Sequence, residues 1–208
     1  MPKKKISPYF TVGAFIFAAV FIFLLYFLND YINPELRIAK ELSIINYFQS
    51  FRAPFLDKAM LFFTTLGNWR IILGYGLIVA FALAFKKKWR HLTALLVSVL
   101  GGQLLVEVLK YTVGRARPVL QVLTTESSFS FPSGHAFVAI SFYGMLTYFL
   151  YAAAKGKFWK SVSLIGGIAL ILLISLSRVY LGVHWPSDII ASFILGSAWL
   201  AMIISLLV

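Results

Sequence analysis

Long apolar runs separated by short basic clusters set the pattern of this chain. An α-helix crosses a hydrocarbon core with roughly 20 apolar residues, about 17 to 25 in practice. Residues 9–28, 91–113, 134–154, 161–177 and 187–208 meet that length, and 70–85, though shorter, carries no charge between Arg70 and Lys86. The pattern predicts an all-α, polytopic membrane protein with six transmembrane helices. The stretch 42–67 is apolar but interrupted by Arg52, Pro54, Asp57 and Lys58, and its uninterrupted part after Lys58 is too short to cross. It is expected to form one or two interfacial helices between spans 1 and 2 that pack against the bundle. No internal repeat, low-complexity tract or linker divides the chain, so residues 1–208 are read as one membrane-embedded domain.

Charge orients the spans. Lys3–Lys4–Lys5, Lys86–Lys87–Lys88 with Arg90, and Lys155, Lys157 and Lys160 fall on one side of a six-span layout, with no Asp or Glu among them. The excess of Lys and Arg in cytoplasmic loops makes that side the cytoplasm and puts both termini inside. A seventh span over 54–67 would move two of the three clusters to the wrong side. Composition agrees: 61% of the 208 residues are hydrophobic and 12% are charged, too apolar for the surface of a soluble domain. The net charge of +12 lies in short clusters between apolar runs rather than along one face, which points to a bilayer and argues against a nucleic-acid partner. The absence of cysteine removes disulfides, thiolate metal sites and a cysteine nucleophile. The first run has no small-residue cleavage site and is read as a retained span rather than a signal peptide. Trp69, Trp89, Trp159 and Trp185 lie near span ends, as interfacial rings do, whereas Trp199 does not.

The remaining polar residues gather at the other side of the membrane. Span 3 ends in KYTVGRARP, with Lys110 on the last helical turn and Arg117 in the following loop. Span 4 opens with FPSGH, and span 5 runs into SRVYLGVHWPSD. Six spans bring all three to one face, where charges near lipid mark function. Lys110, Arg117 and Arg178 are three cations suited to a phosphate dianion, the guanidinium groups gripping oxygens bidentately. In FPSGH, Ser133 caps the helix that follows Pro132, Gly134 lets an anion approach the backbone, and the free N–H groups at the helix start add attraction. His184 and Asp188 are four residues apart. With Pro186 in the first turn of span 6 and His184 just outside it, Asp188 folds back to fix the imidazole tautomer and leaves the other nitrogen as a nucleophile or base. His135, facing it across a bound phosphate, is placed as a general acid.

Lys110, six residues, Arg117–Pro118; Pro132–Ser133–Gly134–His135; and Ser177–Arg178, five residues, His184, three residues, Asp188 together resemble the three-part signature of the type 2 phosphatidic acid phosphatase superfamily. The motifs cover residues 110–188, and no departure from the signature is visible. That superfamily includes lipid phosphate phosphatases, phosphatidylglycerophosphatase B, undecaprenyl-pyrophosphate phosphatases, glucose-6-phosphatase and the vanadium haloperoxidases. The resemblance implies a phosphohistidine mechanism in which His184 attacks phosphorus, Asp188 orients and stabilises it, and His135 protonates the leaving oxygen. It implies that Lys110, Arg117, Ser133, Gly134 and Arg178 hold the phosphoryl oxygens, with no metal and no cofactor. The expected substrate is a membrane lipid phosphate, such as phosphatidylglycerophosphate, undecaprenyl pyrophosphate or phosphatidic acid, handled at the outer face of a bacterial inner or plasma membrane.

Each residue also has a structural reading. Lys110 could snorkel at a helix end or pair with Glu107 one turn earlier. Arg115, outside the signature, is read as a lipid-headgroup contact, and Ser177 as bonding a backbone carbonyl within span 5. His184 with Asp188, or His135 alone, could be structural. Gly114 and Gly182 are expected to make tight turns out of spans 3 and 5. Glu126, Ser127, Ser128 and Ser130 either shape the mouth of the site or form a solvated loop, and neither 29–69 nor 119–131 carries a readable code for the lipid. Two other functions fit the same cradle: a vanadate-dependent oxidation enzyme, and a non-enzymatic channel, transporter or anion-binding lipid receptor. No sequence feature specifies an oligomeric state.

Overall fold

A computed structural model describes residues 34–120, 123, 124 and 126–208. The expected span over 9–28 and the Lys3–Lys5 cluster lie outside the described residues. The described residues form helices α1 (Pro34–Gln49), α2 (Pro54–Leu66), α3 (Trp69–Phe85), α4 (Trp89–Val113), α5 (Gly134–Ala153), α6 (Lys157–Tyr180) and α7 (Pro186–Leu207), with no strand among them. Helices α4 to α7 are each long and apolar enough to cross a membrane. Helix α3 has 17 residues, about 25 Å at 1.5 Å per residue and at the short limit for a crossing, and it bends by 53° from α2. The described residues thus hold four spans, or five if α2 and α3 form one broken span.

Local chemistry sets the helix ends. Pro54 and Pro186 occupy first-turn positions, where a missing N–H costs nothing. Asn68 caps α3 by accepting the Arg70 N–H at 2.9 Å. Gly114 closes α4 at φ 62° and Gly182 turns the chain after α6 at φ 74°, both left-handed conformations that a β-carbon disfavours.

Helix α5 is the axis of the bundle. Ala136, Phe137, Val138, Ala139, Phe142 and Met145 are buried against α3, α4, α6 and α7. Outward-facing apolar residues such as Leu77, Phe81, Leu104 and Ile190 stay exposed because lipid, not water, meets them. Lipid tails are as apolar as leucine, so close packing and hydrogen bonds hold the seams. A β-carbon at Gly144 would fall 2.5 Å from Leu200 Cδ2, and one at Gly196 would fall 3.3 Å from Ile140 Cδ1. Helices α4 and α5 each contain a π-helical turn, Val97–Gly101 and Ile140–Gly144. Such turns free backbone carbonyls inside the bilayer, and these are satisfied there: Ser98 Oγ donates to the Ser141 carbonyl at 2.9 Å and Trp199 Nε1 to the Ser98 carbonyl at 2.9 Å. That bond accounts for Trp199, whose place in mid-span the interfacial pattern left unexplained.

The segment expected at the interface resolves into α1 and α2, with α1 starting earlier than residue 42. Helix α2 lies against the end of α6, where Leu56 and Met60 pack on Tyr180, Leu181 and Val183. At the α2–α3 corner Gly67 meets the bundle directly. A β-carbon there would lie 2.5 Å from Ile174 Cγ2 and 3.2 Å from the His135 ring, so only glycine lets the corner approach this closely.

Candidate active site

Four helix ends meet at one end of the bundle: the C-termini of α4 and α6 and the N-termini of α5 and α7. They surround a cavity of about 470 Å³ whose wall includes Lys110, Arg117, Gly134, His135 and His184. Asn68, Trp69 and Arg70 at the start of α3, and Gln103 and Glu107 of α4, also line it. Ser133, Arg178 and Asp188 stand behind this surface, all buried. Ser133 sits at the N-cap of α5, its Oγ 3.5 Å from the Ala136 nitrogen. A β-carbon added to Gly134 would point toward Lys110, 3.8 Å from its Nζ, so the missing side chain leaves room beside the cation.

The cations are held but not neutralised alike. Lys110 Nζ donates to Ser128 Oγ at 2.8 Å, while Glu107 accepts from Gln103 at 2.9 Å instead of pairing with it. Arg117 is braced by the carbonyls of Ser128 (2.7 Å), Val183 (2.7 Å) and Phe129 (3.1 Å). Burial lowers its pKa, opposed by Glu126 and Asp188, and the guanidinium remains a cation. Arg178 donates to Thr64 Oγ1 and to Glu126 Oε1, and its buried Nε has no hydrogen-bond partner among the described residues.

The imidazole of His184 is fixed from both sides. Asp188 Oδ2 lies 3.4 Å from Nδ1 and accepts the Trp185 N–H at 3.0 Å, the fold-back that Pro186 in the first turn of α7 permits. On the other side Arg117 Nη1 stands 3.2 Å from Nε2. A guanidinium nitrogen has only hydrogens to offer, so Nε2 must present its lone pair and Nδ1 its proton. Burial, then Arg178, Arg117 and Lys110, hold the His184 pKa well below 6.5, which keeps the ring neutral at pH 7. The site therefore offers an uncharged, oriented imidazole nitrogen next to fixed cations at the cavity wall. Among the described residues no group of three His, Asp or Glu is placed to hold a metal ion.

Residues 91–208 match the family model of the PAP2 superfamily. The chain belongs to the PAP2 superfamily. It is similar to phosphatidylglycerophosphatase B of Bacillus subtilis (strain 168), 39% identical over 148 residues that span 70% of this chain and 72% of that protein. It is also 35% identical over 132 residues to undecaprenyl-diphosphatase of Sulfolobus acidocaldarius, a match that spans 61% of this chain and 59% of that relative's length. Among solved structures it resembles the crystal structure of the first transmembrane PAP2 type phosphatidylglycerolphosphate phosphatase from Bacillus subtilis, with a TM-score of 0.80, 30% identity, and coverage of 89% of this chain and 92% of that one. Aquifex aeolicus LpxE aligns with a TM-score of 0.58 at 25% identity over 79% of this chain and 93% of its own. The chain is thus an integral membrane hydrolase, a PAP2 phosphatase.

Around this cavity stand residues whose partners sequence reasoning did not identify. Arg115 is not a headgroup contact. Its largely covered side chain donates to Asp188 Oδ1 and, at 2.6 Å, to Glu41 Oε2, and lies over the Trp185 ring at 5.2 Å. Glu41, on α1, also accepts the Ser187 N–H at 3.0 Å, so α1 is tied to the start of α7. Ser130 Oγ donates to Asp188 Oδ2, and Thr64 and Glu126 hold Arg178. The short spacing of Arg115 from Arg117 was the only signal for the first of these. Ser177 donates to the Ile174 carbonyl at 2.6 Å, the local bond expected of it.

Proposed function

We propose that the protein removes a phosphoryl group from a membrane lipid phosphate, at the outer face of a bacterial inner or plasma membrane, through a phosphohistidine at His184. In the first step the Nε2 lone pair bonds to phosphorus as the bond from phosphorus to the leaving oxygen breaks. His135 gives that oxygen its proton. Asp188 holds the Nδ1 proton and stabilises the positive charge that the ring gains. Lys110, Arg117 and Arg178, with Gly134 and the Ser133-capped start of α5, offset the negative charge spread over the equatorial oxygens. In the second step water, deprotonated by His135, attacks phosphorus; the N–P bond breaks and phosphate leaves. The observation that carries this reading is the His184 ring, held with Nε2 as the acceptor beside Arg117 and Nδ1 against Asp188. The orphan Nε of Arg178 supports it, since a buried donor without a partner calls for an acceptor such as a phosphoryl oxygen.

The outward orientation rests on charge. Lys86–Lys88 with Arg90 precede the site-distal end of α4, and Lys155, Lys157 and Lys160 join the site-distal ends of α5 and α6. These clusters belong in the cytoplasm. Adding 9–28 to α3 as a full crossing gives six spans, one domain and both termini inside. Candidate substrates are phosphatidylglycerophosphate and undecaprenyl diphosphate, in keeping with the relatives' names, and phosphatidic acid.

The test is phosphate release by detergent-purified protein from these three lipids and glucose 6-phosphate, in chelator, with His184→Ala alongside. Release from lipids that the variant abolishes is the expected result. No release from any lipid by folded protein would refute the reading. It would turn attention to vanadate-restored peroxidase activity or to flux in liposomes that survives the same substitution.

A further inference from the structure

We infer that Arg70, at the start of α3, forms a second anion subsite on the leaving-group side of the cavity, holding the phosphate that is not transferred in lipids that carry two. The inference rests on the phosphatase reading and names the substrate feature the site selects.

Position comes first. The α2–α3 corner touches the proposed proton donor: a β-carbon at Gly67 would stand 3.2 Å from His135 Cδ2. Asn68, Trp69 and Arg70 follow at once, and all three line the same cavity as His135 and His184. Arg70 follows Gly67 by three residues across the α2–α3 corner, in the first turn of α3. Whatever group His135 protonates as it departs lies beside this wall.

Commitment of the other cations comes second. Arg117 is held by three backbone carbonyls, Arg178 by Glu126 and Thr64, and Lys110 by Ser128. The Arg70 side chain makes no hydrogen bond or ion pair among the described residues; only its backbone N–H is used, by the Asn68 cap. Its exposed guanidinium keeps its whole fork of donors for a ligand. Glu107 of α4, which lines the same cavity, is bonded to Gln103 and does not form an ion pair with Arg70.

The chemistry of the leaving group then decides what Arg70 meets. In a lipid diphosphate the leaving group is a lipid monophosphate, directly bonded through the scissile oxygen. In phosphatidylglycerophosphate it is a glycerol that bears a phosphodiester three carbons away. Phosphatidic acid leaves only a diacylglycerol, with no second anion. A guanidinium fork binds phosphate oxygens bidentately and strengthens as charge builds on a departing phosphate.

The experiment measures kcat/KM for wild type, Arg70→Gln and Arg70→Lys on phosphatidic acid, phosphatidylglycerophosphate and a prenyl diphosphate in mixed micelles, with His184→Ala as the blank. Arg70→Gln is expected to lose about tenfold or more on the two-phosphate lipids and to stay within about twofold on phosphatidic acid, with Arg70→Lys recovering part of the loss. A loss confined to the diphosphate or to the phosphodiester lipid identifies which spacing the subsite fits and supports it equally. Equal loss on all three lipids, no loss on any, or a wild type active on phosphatidic acid alone would overturn the subsite. A wild type inactive on all three overturns the phosphatase reading instead.

Discussion

Replacing Asp188 by asparagine is the sharpest probe of how the site holds His184, the proposed nucleophile. The carboxylate is fully buried and receives four donors: Arg115 on Oδ1, and Ser130, the Trp185 N–H and His184 Nδ1 on Oδ2. An amide has one acceptor oxygen and must turn a donor toward either Arg115 or the other three, so at least one donor meets a donor. The shape is nearly unchanged, and Arg115 keeps Glu41 at 2.6 Å, so the fold is expected to persist with a lower melting temperature. Catalysis loses more. In the proposed mechanism the His184 ring becomes cationic as it bonds to phosphorus, and at the 3.4 Å separation from Asp188 an effective dielectric of about 20 gives about 5 kcal/mol of attraction, three to four decades in rate. Rapid-quench phosphate release under single-turnover conditions isolates this step, and circular dichroism on the same sample reports folding. A variant that is folded and within about tenfold of wild type would refute the argument that Asp188 stabilises the charged ring.

Arg115→Gln leaves Glu41 and Asp188 as buried carboxylates without their shared cation, and a loss of about 3–5 kcal/mol is expected in thermal unfolding; an unchanged melting temperature would return Arg115 to the headgroup role. His184, held neutral well below 6.5 by burial and three cations, should appear by imidazole NMR as the Nδ1–H tautomer, uncharged at pH 6.5, with only His91 and His135 to distinguish from it. Protonation is thus confined to pH below the ordinary histidine range, and a half-protonated ring at pH 6.5 would contradict the geometry. Gly67→Ala forces a methyl to within 2.5 Å of Ile174 Cγ2 and 3.2 Å of His135, so turnover should fall and about 1–3 kcal/mol of stability be lost. Adding Ile174→Ala should restore both in part, and failure of that rescue would show that the corner acts otherwise.

How far the sequence could be read follows from the range of each interaction. Helices α4 to α7 were legible because a span is a local property of about 20 residues. The placement of Lys110, Arg117, His135, His184 and Asp188 at one end followed from alternating spans, and the fold-back of Asp188 from Pro186. The Glu41–Arg115–Asp188 chain was not legible, because it joins residues 74 and 73 positions apart across three elements. Nothing in the spacing of α1 says that Glu41 points inward. Thr64 and Glu126 were hidden for the same reason, since both reach Arg178 across 114 and 52 positions. Charges and Pro54 in 42–67 coincide with its division into α1 and α2, yet composition alone gave no sign that the corner after α2 would press against His135. The π turns in α4 and α5 likewise have no local signature, being set by which helices meet at mid-membrane.

The central claim is that phosphorus becomes bonded to His184, and the most direct measurement is to trap that bond. Wild-type protein is mixed with lipid carrying a radiolabelled terminal phosphate, quenched in alkali within the first turnover, and digested for mass spectrometry. The account predicts one base-stable, acid-labile phosphoryl group per protein on His184, absent from His184→Ala. Label on another residue, or phosphate release at an unchanged rate by His184→Ala, would contradict it.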